Sequence, residues 1–286
     1  MRSACYDIAG LHLAVNQTTA LPDVPMPSGF AVFESQSTAD VHFHLVEHLP
    51  PTGDARPLYK CLAVDGLFEC LTEQTADALH LILYNARARS VALRLLWNIG
   101  SDCADIECHD ASALRFALWM GYTFVGAHRG RVPVHAAAIV NNQKAILLLG
   151  ESGTGKSTHA QLWMEHIEGT TLLNDDSPIL RLQPDGLTVC GSTWSGKGAC
   201  YRTAQVPLAA IVRLSQASTN SMRRLNAIEA FAAVQPSFPP AAMSTEWLAD
   251  PLFDLLDSIV RTIPVYSLRC RPDREAAQLA FDTVCP

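Results

Sequence analysis

No stretch of the 286-residue chain approaches the ~18 consecutive apolar residues of a membrane-spanning helix, so a helical integral membrane protein is excluded as a reading. The first residues, MRSACYDIAGLHLAV, lack a charged segment followed by a long apolar core, and no signal peptide is expected. Charge is scarce: charged residues make up 17% and the formal net charge is −7. That balance argues against a broad nucleic-acid or anionic-membrane surface. The basic residues are few and local, as suits a small anionic ligand. There is no internal repeat and no low-complexity tract. Nine cysteines are present, but without the regular framework of a disulfide-stapled fold. Cys103, Cys108 and His109 lack a second pair at zinc-ligand spacing, so the cysteines read as reduced thiols of a cytosolic protein.

What is there is apolar sequence, 49% of the chain, enough for one large core or two modest ones. Up to about residue 125 the pattern is of short apolar or alternating runs. Strands are expected at Tyr6–Val15, Phe30–Phe33, Val41–Val46, Leu58–Val64 and Gly66–Leu71, with breakers such as Pro50-Pro51-Thr52-Gly53 between them. Residues 111–122 have the spacing of a helix. The texture changes at Val132. Val132–Val140 and Lys144–Leu149 read as paired strands joined by Asn141-Asn142-Gln143. Thr171–Leu173 is a further strand, and Ile179–Leu182 with Leu187–Cys190 forms a hairpin around Pro184-Asp185-Gly186. Leu208–Leu214 and Ile263–Leu268 are expected as strands, and helices are expected at 226–234, 245–262 and from Asp273 to about Val284. Two domains follow: a β-rich module over 1–125 and a nucleotide-binding domain over 126–286.

The most informative stretch is Gly150-Glu151-Ser152-Gly153-Thr154-Gly155-Lys156-Ser157-Thr158, a complete phosphate-binding loop. Its flanks fit: the apolar run Lys144–Leu149 precedes it, and Ala160, Trp163, Met164 and Ile167 recur after it at helical spacing. Glycines let the backbone curl so that successive N–H groups converge on phosphate, and the new helix presents its positive end to the same anion. Gly150, Ser152, Gly153, Thr154, Gly155, Lys156, Ser157 and Thr158 are the expected nucleotide-binding set. Lys156 can reach the β- and γ-phosphates, and the Ser157 hydroxyl can join the shell of a magnesium ion.

Asp175 and Asp176 follow a short strand 19 positions beyond Lys156. One carboxylate can hold a metal and the other can take a proton from an attacking hydroxyl. Two like charges so close also push one pKa upward, which favours a base. The segment Gly191–Arg202 is rich in small residues and carries Lys197. Such a loop can close over phosphates, with Lys197 neutralising charge. Arg213, Arg223, Arg224, Arg269 and Arg271 are minor candidates for contact with phosphate or an acidic acceptor, since clusters of this size are usually solvated faces.

His135-Ala136-Ala137-Ala138-Ile139-Val140, then the loop, then Asn174-Asp175-Asp176, resembles the catalytic domain of HPr serine kinase/phosphorylase. The loop and aspartate pair are also similar to the nucleotide site of ATP-dependent phosphoenolpyruvate carboxykinases. The resemblance covers roughly residues 130–286, and the stretch 135–202 is most similar to small bacterial HPr-kinase-like proteins, some of which phosphorylate serine. It implies an α/β fold of the HPr-kinase/PEP-carboxykinase P-loop type, with a mixed sheet, preceded by the smaller β-rich module. It also implies ATP and Mg²⁺ as cofactors, with Ser157, Asp175 and Asp176 at the metal. Catalysis would fall to Asp175, Asp176, His135, Lys156 and Lys197, with His135 beside the γ-phosphate. Gly191–Arg202 departs from the glycine-rich signature of HPr kinase itself, so HPr as acceptor is not implied.

The function expected is an ATP-dependent cytoplasmic kinase acting on a serine hydroxyl of a peptide, a protein or the free amino acid. No nucleic-acid or membrane partner is expected, and homo-oligomeric assembly is compatible with the resemblance. The alternatives are a nucleotide-binding regulatory protein without phosphotransfer and a carboxykinase acting on a small carboxylic acid.

Overall fold

The computed structural model describes residues 2–18, 21, 23–64, 66–196 and 198–285. It is a mixed α/β structure with two mixed sheets and, among the described residues, six α-helices. The chain divides into two compact units, Met1–Arg129 with Pro240–Asp250, and Gly130–Pro239 with Pro251–Pro286. No helix among the described residues is long and apolar enough to cross a membrane.

The first unit is built on β1 (Arg2–Ile8), β2 (Leu11–Gln17), β3 (Glu34–Ser35), β4 (Val41–Val46), β5 (Arg56–Ala63), β6 (Phe68–Gln74), β7 (Ala78–Asn85), β8 (Val91–Asn98) and β9 (Cys103–Cys108). Their order in the sheet is β3-β1-β2-β4-β9-β8-β7-β6-β5, with β4 parallel to both its neighbours. Helix α1 (Ala111–Ala127) lies against β8 and β9, started by Asp110, whose side chain accepts from Ser112 N. It approaches so closely that a Cβ on Gly121 would stand 2.9 Å from the Phe43 ring. Tyr122 Oη donates to Ile8 O at 2.9 Å, which satisfies a phenol buried in this core.

Three expectations change here. Tyr6–Val15 is a hairpin rather than one strand: Ala9 (φ 55°) and Gly10 (φ 71°) form a two-residue left-handed turn, closed by Asp7 accepting from Gly10 N. Phe30–Phe33 is a 3-10 helix entered from Gly29 at φ 97°. Phe30 and Phe33 are both buried while Ala31 and Val32 are exposed, a period of three that suits that helix and not a strand. The strands β7, β8 and β9 were not anticipated, because the turn between β7 and β8 carries Ala-Arg-Ala-Arg and neither Gly nor Pro.

The second unit contains β10 (Arg131–Pro133), β11 (Ala137–Asn141), β12 (Lys144–Leu149), α2 (Lys156–His166), β13 (Thr171–Asn174), β14 (Ile179–Gln183), β15 (Gly186–Cys190), β16 (Gln205–Gln216) and β17 (Ser221–Arg224). These are followed by α3 (Ala227–Val234), α4 (Pro240–Met243, which clusters with the first unit), α5 (Glu246–Thr262), β18 (Val265–Cys270) and α6 (Arg274–Val284). The main path of the sheet is β10-β14-β15-β16-β12-β11-β13, and β18 adds beside β16 with β17 on its outer side. Asn142 (φ 48°) and Gln143 (φ 59°) make the tight turn between β11 and β12. The strand expected over Val132–Val140 is broken, because β10 pairs with β14 and β11 pairs with β12 and β13.

Register decides where chemistry collects. β12 runs antiparallel to β11, β11 antiparallel to β13, and β12, β16 and β18 run parallel in sequence. The exits of β12, β13, β16 and β18 and the entrance to β11 therefore share one edge. Ligands of open α/β sheets favour that edge, outside the carboxyl ends of the strands. Helices α2 and α6 pack together over one face, where fully buried Trp163 meets Phe281 edge-on at 5.8 Å.

Candidate active site

The loop between β12 and α2 curls through left-handed backbone at Gly153 (φ 78°) and Gly155 (φ 107°), and Gly155 forms the N-cap of α2. Gly155 has no side chain to cap that helix, so among the described residues its first amides are left facing the loop. Glu151, Ser152, Gly153, Ser157 and Thr158 are exposed, whereas Lys156 is 8% exposed and folded inward. The Lys156 Nζ donates to Gly150 O at 2.8 Å and Glu151 O at 3.3 Å, and lies 2.9 Å from His135 Nε2. An ammonium only donates, so His135 Nε2 accepts and its ring proton sits on Nδ1. That nitrogen faces Asp176 Oδ1 at 3.4 Å. Lys156, His135 and Asp176 thus form one continuous polar chain at the mouth of the loop.

Burial lowers the Lys156 pKa from 10.5, the nearby Asp176 carboxylate opposes that shift, and the Arg213 guanidinium adds to it. His135 is held by its backbone in the gap between β10 and β11, where its N–H donates to Ser237 O at 2.8 Å. Val134 N and Ala136 N donate to Pro178 O and Asp176 O, so buried neighbours on either side present the exposed imidazole.

The two aspartates differ sharply. Asn174, fully buried, organises the turn: its Oδ1 accepts from Asp176 N and Ser177 N, and its Nδ2 donates to Ser192 Oγ and Trp194 O. Asp176 emerges toward His135. Asp175 points into the Gly191–Arg202 loop, where Oδ1 accepts from Ser195 Oγ and from Gly196 N at 2.7 Å, and Oδ2 from Gly198 N at 3.0 Å. Cβ atoms on Gly196 or Gly198 would stand 3.0 and 2.9 Å from its carboxylate, so glycine is what permits this grip. Lys197 lies outside the described residues.

Among the other arginines, Arg213 stands in register with Leu149, the last residue before the loop, and its Nη1 donates to Ala233 O. Arg223 is taken up by Glu229 through two bonds of 2.8 Å. Sequence reasoning gave Ser195 and Asn174 no role of their own and left Arg213 as a minor candidate for contact with phosphate. An Asn-Asp-Asp-Ser-Pro turn signals the Asn174 role, but the register that brings Arg213 to the loop has no local signature.

No family model and no curated protein matches the chain. Among solved structures it is similar to the Hpr(Ser) kinase/phosphatase from Coxiella burnetii, at 14% sequence identity and a TM-score of 0.30, over 53% of this chain and 92% of that one. A likeness of that size leaves the site to be read from its own geometry.

Proposed function

We propose that this protein is an ATP-dependent phosphotransferase that moves the γ-phosphoryl group to a hydroxyl, with a serine of a peptide, a protein or the free amino acid as acceptor. The observation that carries the reading is the contiguous Lys156–His135–Asp176 chain at the mouth of an uncapped phosphate loop. In phosphoryl transfer most of the catalysis is positioning and charge neutralisation, and this set supplies both.

The loop amides and the first turn of α2 would hold the phosphates, with Gly150, Ser152, Gly153, Thr154, Gly155, Ser157 and Thr158 lining the cradle. Lys156 would exchange its long contact to Glu151 O for a phosphate oxygen. That contact is worth about 1.5–3 kcal/mol, against about 4 kcal/mol for an ion pair at 4 Å in an effective dielectric of about 20. The acceptor oxygen forms a bond to the γ-phosphorus as the β–γ bridging P–O bond breaks, and that electron pair leaves with ADP. The acceptor's proton passes to Asp176, whose carboxylate His135 orients through Nδ1–H.

Among the described residues no group of three His, Cys, Asp or Glu side chains is placed to hold a metal alone. Such a sparse donor set fits magnesium, which keeps waters and takes its remaining ligands from substrate phosphates. Ser157 and Asp176 would hold it, and Asp175 would join only by releasing the loop. When bound, the ion neutralises charge on the β- and γ-phosphates. Lys197 is proposed as a further cation near the phosphates. We assign catalysis to the 126–286 domain, with 1–125 as a β-rich module, and place the protein in the cytoplasm, where ATP and reduced thiols coexist.

Radiolabelled ATP with Mg²⁺ and serine-bearing acceptors tests this. Transfer of label is expected for the natural protein, and a loss of about 10²-fold or more for Asp176→Asn. ATP binding without transfer to any acceptor would favour a regulatory nucleotide-binding protein, and no ATP binding at all would end both readings.

A further inference from the structure

The phosphate loop has two sides. On the β11 and β13 side stand His135, Asp176 and the turn that Asp175 grips. On the β16 and β18 side two hollows open, of about 470 and 480 Å³. Both border Gly153, Thr154, Leu214 and Gln216, and Gln216 Nε2 donates to Gly153 O at 3.3 Å between them. The first hollow is lined further by Glu151, Arg213, Ser215 and Ser267, so charged and hydroxyl groups share its wall with Leu214. The second differs in kind. It lies beyond Lys156 along the first turn of α2, at Thr158 and His159, and is walled by Leu214, Cys270 and Pro272, with Arg271 at its rim.

His159 is the informative residue. It is 3% exposed, lines this hollow, and its Nε2 has no hydrogen-bond partner among the described residues. A buried ring nitrogen without a partner costs stability unless something completes it. Burial holds the imidazole pKa down to about 4, so at neutral pH it is uncharged and suited to a neutral heteroatom. The hollow falls within the ~300–1,000 Å³ typical of small-molecule sites. Its position is also directional. With Lys156 beside His135, a terminal phosphate held by this lysine would sit near His135, and a phosphate chain running from there along the first turn of α2 would arrive at Thr158.

We propose that this second hollow is the nucleoside pocket. It takes the ribose and base of the triphosphate, with His159 hydrogen-bonding a neutral ring or sugar heteroatom between the walls of Leu214 and Pro272. This rests on the phosphotransferase reading and adds to it a set of residues that read the nucleoside and not the phosphates.

The test compares Mg²⁺-ATP with Mg²⁺-tripolyphosphate, which carries the phosphates alone. Ala217→Phe, which fills the hollow from its rim, and His159→Phe are expected to weaken ATP at least tenfold and leave tripolyphosphate within twofold. Hydrogen exchange on the unmodified protein is a second measure that needs no variant to fold. ATP should protect the amides of Cys270, Arg271 and Asp273, and tripolyphosphate should not. Equal effects on the two ligands, or protection by both, would overturn the nucleoside pocket. Failure of the natural protein to bind either would instead overturn the phosphotransferase reading.

Discussion

Adjacent carboxylates with the same intrinsic chemistry have been given different work by their hydrogen bonds. Asp175 receives three donors from the 195–198 turn, while Asp176 faces His135 and the loop lysine. Asp175→Asn therefore exchanges an ideal acceptor for one whose amide N–H₂ must face backbone N–H groups. It is expected to free the turn, seen as faster tryptic cleavage between residues 195 and 203, with ATP affinity changed less than threefold. Asp176→Asn should leave that cleavage rate unaltered and remove transfer. Lys156 supplies a pH prediction with a definite sign. Burial favours its neutral form, so the ammonium is lost on raising pH at a point below 10.5. ATP affinity should accordingly fall in the alkaline range before an ordinary lysine deprotonates, and titration of binding against pH checks it. Lys156→Arg, which stays charged, should flatten that limb.

Among the elements, the Gly191–Arg202 loop depends on a narrow neck. Gly191 N donates to Ala204 O at 3.0 Å, and a Cβ at residue 191 would overlap Arg202 O. Gly191→Ala must push two backbones apart, at a cost of about 1–3 kcal/mol by analogy with overpacked cores. Thermal unfolding should register this as a lowered midpoint, and the dislodged turn should lower phosphotransfer as well. The strand–loop–helix unit at 144–166 was legible from sequence because its signals are local: a buried run, obligatory glycines, a helical repeat. The gap at Val134–Ala136 was not, since nothing in VPVHAAAIV marks where one strand stops pairing with β14 and the next begins pairing with β12. That gap places His135 at the site. Likewise Phe30–Phe33 and the Ala9–Gly10 turn follow from burial and backbone dihedrals that a string of apolar letters leaves open.

At the scale of the whole molecule, the chain passes from one unit to the other between Arg129 and Gly130, close to the change of texture at Val132. The return of Pro240–Asp250 to the first unit had no counterpart in the sequence. Its boundary falls at Pro251, inside helix α5, where the missing N–H weakens the ladder. A fragment of residues 126–286 carries that segment without the strand β5 that α4 packs against. Leu248 and Ala242, both fully buried in the complete chain, would then be uncovered. Such a fragment should bind an apolar dye and unfold at lower temperature than the full chain.

The left-handed turn at Asn142 and Gln143 lies at the opposite end of β12 from the glycine loop, and both residues are exposed. A six-residue strand at about 3.3 Å per residue separates the two by roughly 20 Å. That makes the turn a natural handle. A fluorophore or surface tether attached at Gln143 would report on, or immobilise, the protein without crowding the glycine loop.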